Sequence, residues 1–497
     1  MLLGAILGPE HHSLRPQREF PFTPRIINPV KMREVILCSA DENVRASQSS
    51  IRAEMPWVNV RVLTSPLAVS DVRTDGAMVL ILDDVAMNLV DVERVRRNNR
   101  DLVVVLLSFI RLIHSSPPAI AQREYPYTQK ADLVFAINRI EFRAEHIITS
   151  VVRAAEDHLN INKPSEVRRF ILLIVDDEPS WPSQFLPVLY KIIGQRADVK
   201  ITRTYEEALT FMFGVGRESE IRDDYSDFGY GDQVVCLITD VLFPKAGNVS
   251  SDAGRELIRL VNRYYIRIPI IIASKAPEAT ALAEKGFLLP KGDPGSLETL
   301  RNYILDRTGI GDFVIYDEFG SEWQRLKDIR GMYRLLLSAR GEDPESQRLR
   351  SILEMYGQKD KFSTWFFMHG FQALGERVRP QRLTGDRMIA ELVQGLKEEI
   401  VRMRQTPLVV GGARIFELQD LLNTLRSTPE DEIDHLAYSD VVSSWLDQKG
   451  YSELADALRP IHGAGPALKA AVCSVIEEHL KLYEERRESE EELPDGL

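Results

Sequence analysis

The sequence is short of cysteine. Cys38, Cys236 and Cys473 are the 3 in 497 residues, odd in number, far apart and never spaced as CxxC. A disulfide framework is excluded, and two of the thiols fall in apolar, strand-like runs, as core thiols of a reducing compartment do. No apolar run approaches the roughly 20 residues of a membrane span, and the opening MLLGAIL is too short, and has no basic flank, for a secretory signal. Positive charge is in deficit: 62 Lys+Arg face 74 Asp+Glu for a net charge of -12, which removes the attraction that non-specific nucleic-acid binding needs. GxxxxGK[ST] and HExxH are absent, so P-loop nucleotide use and the common zinc sites have no support. The expectation is a soluble, cytoplasmic protein with neither nucleic acid nor membrane as partner.

With 44% hydrophobic residues, the chain has ample material for packed cores, and its length implies three or four domains. Residues 1–31, with His11, His12, several prolines and no periodicity, read as a flexible tail. Over 32–159, EVILCS, VRVLTS, AMVLILDD, DLVVVLLS and ADLVFAIN alternate with helix-length stretches, which predicts a small doubly wound α/β unit. A linker at 160–167 leads to a second unit of the same plan over 168–307, with strands FILLIVDD, VKITRTY, VVCLITD, IPIIIAS and GFLLPK. Helices are predicted at 181–193, 205–213, 252–264 and 296–306, and the polar segment 214–233 reads as a surface loop.

Beyond Arg307 helical periodicity takes over and a repeat appears. FSTWFFMHGFQALGERVRP at 362–380 matches VSSWLDQKGYSELADALRP at 442–460 with a constant offset of 80. Upstream, GDFVIY with RLKDIRGMYRLL is echoed by PLVVGG with RIFELQDLLNTL. Each unit, 308–380 and 381–480, is predicted as a short strand, a helix, a connecting segment and a second helix ending before Arg-Pro, with a charged helix at 386–403 joining them. Trp365 and Trp445, Phe371 and Tyr451, and Leu374 and Leu454 recur at matched places and read as core. His369 and His435 occupy unmatched positions and read as packing or surface residues. The acidic end, 481–497, is expected to be disordered.

In the second unit Asp176, Asp177, Asp240, Ser274 and Lys291 each end a predicted parallel strand. In a doubly wound sheet such ends share one rim. Three carboxylates brought together repel one another unless a cation joins them, most simply Mg²⁺, with the Leu242 backbone carbonyl as a further oxygen ligand. Asp240 is then placed to act as a carboxylate nucleophile toward a phosphoryl donor, with Lys291 neutralising the transferred group and Ser274 hydrogen-bonding it.

In that order, IVDDEP, LITDVLFP, IIIAS and FLLPK resemble the acidic pair, phospho-acceptor, hydroxyl and lysine motifs of the receiver domain of two-component response regulators, over roughly 168–307. The resemblance implies that Asp240 takes a phosphoryl group from a histidine kinase, a phosphotransfer protein or a small phosphodonor. It implies too that Asp177 binds Mg²⁺ directly, Asp176 directly or through water, and that Ser274 and Lys291 report the phosphorylated state. The chain would be no enzyme beyond self-phosphorylation and autodephosphorylation. Departures from the pattern are Leu288, three residues before the lysine where an aromatic switch usually stands, with Phe287 beside it, and Lys275 in place of a small residue. The first unit resembles a degenerate receiver, a pseudo-receiver that packs or pairs with a second copy. In it Asp41 and Asp84 match Asp177 and Asp240, Ser108 matches Ser274, Ala40 breaks the acidic pair, and no lysine ends the fifth strand. The repeats loosely resemble segments that accompany phosphoenolpyruvate synthase-like proteins, implying at most a regulatory association. The expected fold class is α/β: two flavodoxin-like, doubly wound, five-stranded parallel-sheet units followed by a mostly helical repeat domain. Its alternative function is a phosphorylation-independent scaffold or regulatory subunit.

Overall fold

The computed structural model describes residues 33–491 apart from 56–57, 65–76, 101, 109–129, 137–143, 163–168, 223–228, 266, 318, 380–383 and 462. The expected N-terminal tail therefore lies outside the described residues. The first unit is a parallel sheet of β1 (Arg33–Cys38), β2 (Val58–Leu63), β3 (Ala77–Asp83), β4 (Val103–Ser108) and β5 (Leu133–Ala136), ordered β2-β1-β3-β4-β5. Every residue of β4 is buried, which is why VVVLLS shows no polar alternation: helices cover both faces.

The second unit comprises β6 (Phe170–Val175), β7 (Ala197–Thr202), β8 (Val234–Thr239), a hairpin of β9 (Phe243–Lys245) and β10 (Asn248–Ser250), β11 (Ile270–Ser274) and β12 (Phe287–Pro290). Its parallel sheet runs β7-β6-β8-β11-β12. Both units are thus doubly wound, with the order reversing at the first strand, so the ends of β6 and β8 border the crevice where ligands bind in such sheets. The helices Ser180–Ile193, Tyr205–Phe213, Ala253–Tyr264 and Ser296–Arg307 fall within a residue of their predicted limits. Between β11 and β12 the connection holds only a 3₁₀ turn, Pro277–Leu282.

The helix Ala144–Asn162 runs into the segment expected as linker, because Ile161 is still buried at 2% exposure. This helix is a wall common to both units. Tyr190 Oη donates to Asp157 Oδ2 at 2.7 Å, the Val199 N–H donates to the same oxygen at 2.9 Å, and one hydrophobic cluster runs from Val35 through Val151 to Leu186.

The repeat region departs from its expected plan in two ways. Each repeat opens on an antiparallel hairpin rather than one strand: β13 (Phe313–Tyr316) with β14 (Glu322–Leu326), and β15 (Leu408–Val410) with β16 (Ala413–Ile415). Gly411 and Gly412, at φ 54° and 81°, make the second hairpin's turn. The expected second helix is two, Lys361–Met368 with Gln372–Val378 and Val441–Lys449 with Ser452–Leu458. Gly370 (φ 78°) and Gly450 (φ 91°) break them by taking the left-handed conformation that ends a helix.

The connecting segments are themselves helical, Pro344–Gln358 and Glu430–Tyr438, and Gly385–Gln405 joins the repeats. The last helix, Gly465–Glu491, continues into the segment expected to be disordered, since EERRESEE is rich in helix formers of mixed charge. Residues 492–497 lie outside the described residues. Among the described residues no helix is long and apolar enough to cross a membrane.

Candidate functional site

The sheet continues one residue past β6 and β8. The Asp176 N–H donates to Thr202 O at 3.0 Å and the Asp240 N–H to Val175 O at 2.9 Å. These backbone bonds fix two carboxylates side by side at the crevice. From the neighbouring strand ends come Ser274, whose Oγ donates to Asp240 Oδ1 at 2.6 Å, and Lys291, whose Nζ donates to Asp240 Oδ2 and lies 2.6 Å from Asp176 Oδ2. Asp240 Oδ1 also accepts from Val241 N at 2.6 Å and from Leu242 N at 3.4 Å. Asp176, Asp240, Ser274 and Lys291 are therefore gathered at one point. Asp177 is half-buried beside them and feels the charge of Asp240.

The pocket is rich in acid. Asp176 is 2% exposed, and burial, with the Asp240 charge adding to it, pushes its carboxyl up to about 7 even though Lys291 opposes the shift. Burial and then the Asp240 charge push Asp177 up to about 6. Burial would lower the Lys291 ammonium, but Asp176 and Asp240 outweigh it and hold the lysine above its ordinary value. Three carboxylates thus share one ammonium, a balance that favours a further cation.

All the side-chain donors are hard oxygens, which suits Mg²⁺ by chemistry. Among the described residues, however, no three acidic, histidine or cysteine side chains already converge as a ligand set. Lys291 stands between Asp176 and Asp240 instead. The residues fit a hard cation by donor type and charge, with the lysine ammonium drawn in among them.

Three contributors, Trp181, Glu178 and Gly254, escaped the sequence reading. Trp181, 6% exposed, donates from Nε1 to Glu178 Oε2 at 2.9 Å, and its ring lies 5.4 Å from the Lys291 Nζ and 4.7 Å from that of Lys275. Lys275 therefore rests on an indole at the pocket's edge rather than standing alone. The signal was present as Ser-Trp directly after IVDDEP, at the start of the helix. Gly254 acts by its lack of a side chain: a Cβ there would lie 2.6 Å from the Asp240 carbonyl oxygen. Of the departures from the pattern, Phe287 stacks on Tyr303 with centroids 4.4 Å apart, and Leu288 is half-buried.

The first unit's rim corrects two expected matches. Cys38 pairs with Leu63 and Leu82 as Val175 pairs with Thr202 and Thr239. By register Ser39 and Ala40 stand for Asp176 and Asp177, and Asp83, not Asp84, stands for Asp240. Asp41 caps a helix, accepting from Asn43 N at 2.9 Å. Asp83 accepts from Ser39 Oγ at 2.8 Å, Ala40 N at 3.1 Å and Ala86 N at 2.8 Å, so neutral donors within the unit engage both its oxygens. Ser108 corresponds to Ser274 by register, but its Oγ donates to Asp84 Oδ1 at 2.9 Å.

Fold and site together define a doubly wound α/β protein with an acidic pocket at one sheet rim, bridged by a buried lysine. No family model matches the chain, and no curated protein matches it. Among solved structures it is similar to a putative two-component system response regulator/GGDEF domain protein, at 16% identity over 54% of this chain and 96% of that one, with a TM-score of 0.25. It is also similar to NtrX from Brucella abortus in complex with ADP, at 11% identity over 75% and 93%, with a TM-score of 0.18. At those TM-scores the likeness is too slight to bear on function.

Proposed function

We propose that the second unit is a receiver of the response-regulator type, phosphorylated on Asp240, and that the first unit is a pseudo-receiver. The observation that carries this reading is the convergence of Ser274 Oγ and Lys291 Nζ on the two oxygens of Asp240, beside Asp176. Val241 N and Ser274 hold Oδ1, and the attacking atom is Oδ2, on the lysine side. As the new oxygen–phosphorus bond forms, the phosphorus–nitrogen bond of a phosphohistidine donor, or the phosphorus–oxygen bond of acetyl phosphate, breaks. The imidazole or acetate leaves with the bonding electrons. Lys291 then pairs with the phosphoryl oxygens in place of a carboxylate, and the Ser274 hydroxyl donates to one of them. Mg²⁺, held by Asp176, Asp177, Asp240 and the Leu242 carbonyl, would supply charge neutralisation on those oxygens.

The donor in this reading is a histidine kinase or phosphotransfer protein. The output is protein–protein contact through the helical repeats, with a homodimer as a further arrangement. Asp83, already occupied by Ser39, Ala40 and Ala86, supports the pseudo-receiver assignment. Incubation with Mg²⁺ and acetyl phosphate tests the whole reading: the wild type should gain the mass of one phosphoryl group and Asp240→Asn none. Equal masses for the two would end it.

A second reading, a phosphorylation-independent scaffold or regulatory subunit of a phosphoenolpyruvate synthase-like enzyme, draws on the short β11–β12 connection and on the use of Phe287 in packing against Tyr303. Failure of the wild type to bind Mg²⁺ in a titration would favour it, and copurification with such an enzyme would give it a partner.

A further inference from the structure

His369 follows the helix Lys361–Met368 and is 5% exposed. Its Nδ1 lies 2.6 Å from Asp447 Oδ2 in the other repeat, and its Nε2 3.0 Å from the carbonyl oxygen of Gly311. Neither partner can donate. A carbonyl carries only lone pairs, and Asp447, although burial alone would raise its carboxyl, is held well below the usual carboxylate range by His369 and Arg459, the latter donating to Oδ2 at 2.7 Å. A neutral imidazole has a single N–H, so one of the two contacts would set lone pair against lone pair. Hydrogen on both nitrogens satisfies both.

The repeat supplies an internal comparison. At the offset of 80 that relates the repeats, His369 falls on Lys449 and Trp365 on Trp445. Trp365 Nε1 donates to Gly311 O at 3.0 Å, two residues before β13, and Trp445 Nε1 to Thr406 O at 3.4 Å, two residues before β15. The His369 ring stacks on Trp365 with centroids 4.3 Å apart, and the Lys449 ammonium lies over Trp445 at 5.4 Å while donating to Met403 O at 2.7 Å. At the matched place in the second repeat, therefore, a cation lies on the tryptophan face and bonds a carbonyl in the last turns of the helix Gly385–Gln405.

Asp447 lies in a network with Arg459, Arg196, Asp440 and Asp456, which act on one another through their charges, and Arg196, from the second sheet unit, donates to Ile310 O at 2.6 Å beside Gly311. We infer that His369 is held as an imidazolium, and that its charge clamps the two repeats to each other and to the Gly311 peptide through which the second sheet unit passes into them. In the second repeat Lys449 is the cation at the matched place.

The test compares wild type, His369→Lys and His369→Gln in the full chain. At neutral pH His369→Gln should melt roughly 2–4 °C below the wild type, the loss expected when Asp447, still paired with Arg459, gives up one of its two charged partners. His369→Lys, which keeps a cation at this place, should melt nearer the wild type than His369→Gln does. In ¹⁵N-histidine-labelled wild type, with His369→Gln identifying the signal, both ring nitrogens should appear protonated at neutral pH. A single protonated ring nitrogen at neutral pH, or a His369→Gln melting temperature within a degree or so of the wild type, would overturn the inference. The labelled wild type decides even if His369→Lys does not fold.

Discussion

Lys291 is the residue on which the pocket's charge turns. It is the one ammonium among Asp176, Asp240 and Asp177, and its side chain is 1% exposed. Lys291→Met should cost about 1–3 kcal/mol more at pH 8 than at pH 5, as urea unfolding at the two pH values will show, because without the ammonium the Asp176 carboxyl is pushed further above about 7 and must take up a proton to stay buried, a cost absent at pH 5 where it already holds one. Because the folded values of Asp176 and Asp177 lie above the ordinary 3.8, at about 7 and about 6, their protonation stabilises the metal-free fold at low pH, and that contribution is lost as pH rises through those values. Mg²⁺ needs the ionised forms, so it should bind more tightly at pH 8 than at pH 5.5 and release protons on binding at the lower pH. Calorimetry in two buffers of different ionisation enthalpy measures this. The double acid, the serine and the lysine were legible because each closes an apolar run. What could not be read was which of two adjacent acids faces the rim: AMVLILDD ends in Asp83 and Asp84 alike, and only the pairing of β3 with β1 and β4 selects Asp83.

Among the elements, the start of the helix Ala253–Tyr264 lies close against the backbone at the end of β8. A Cβ on Gly254 would meet the Asp240 carbonyl oxygen and the Val241 Cα, both at 2.6 Å, and both are backbone. Gly254→Ala should therefore cost about 1–3 kcal/mol and displace Asp240, and under the proposed receiver function it should lower acetyl phosphate labelling beyond what the stability loss explains. The sheet strands were readable because burial on both faces leaves them uniformly apolar. The repeat hairpins were not: β14 (EWQRL) and β16 (ARI) are mostly exposed and carry little apolar signal, and the helix breaks at Gly370 and Gly450 depend on a backbone conformation within otherwise unbroken helical periodicity.

At the scale of the whole molecule, the helix Ala144–Asn162 makes two sheet units into one body. Its Asp157 is fully buried and accepts from Tyr190 and Val199 of the second unit. Tyr190→Phe should cost about 1–3 kcal/mol, and calorimetry should show the two sheet units melting in one transition that shifts as a whole. Sequence alone suggested a linker at 160–167, since Lys163, Pro164 and Ser165 have the composition of one. Composition does not reveal that the helix on their N-terminal side packs against the sheet unit on their C-terminal side. The sharing also bears on how such a chain can change over generations: a crossover between the two halves would leave each with an open flank, so they are free to be duplicated, fused to new neighbours or lost only as a pair.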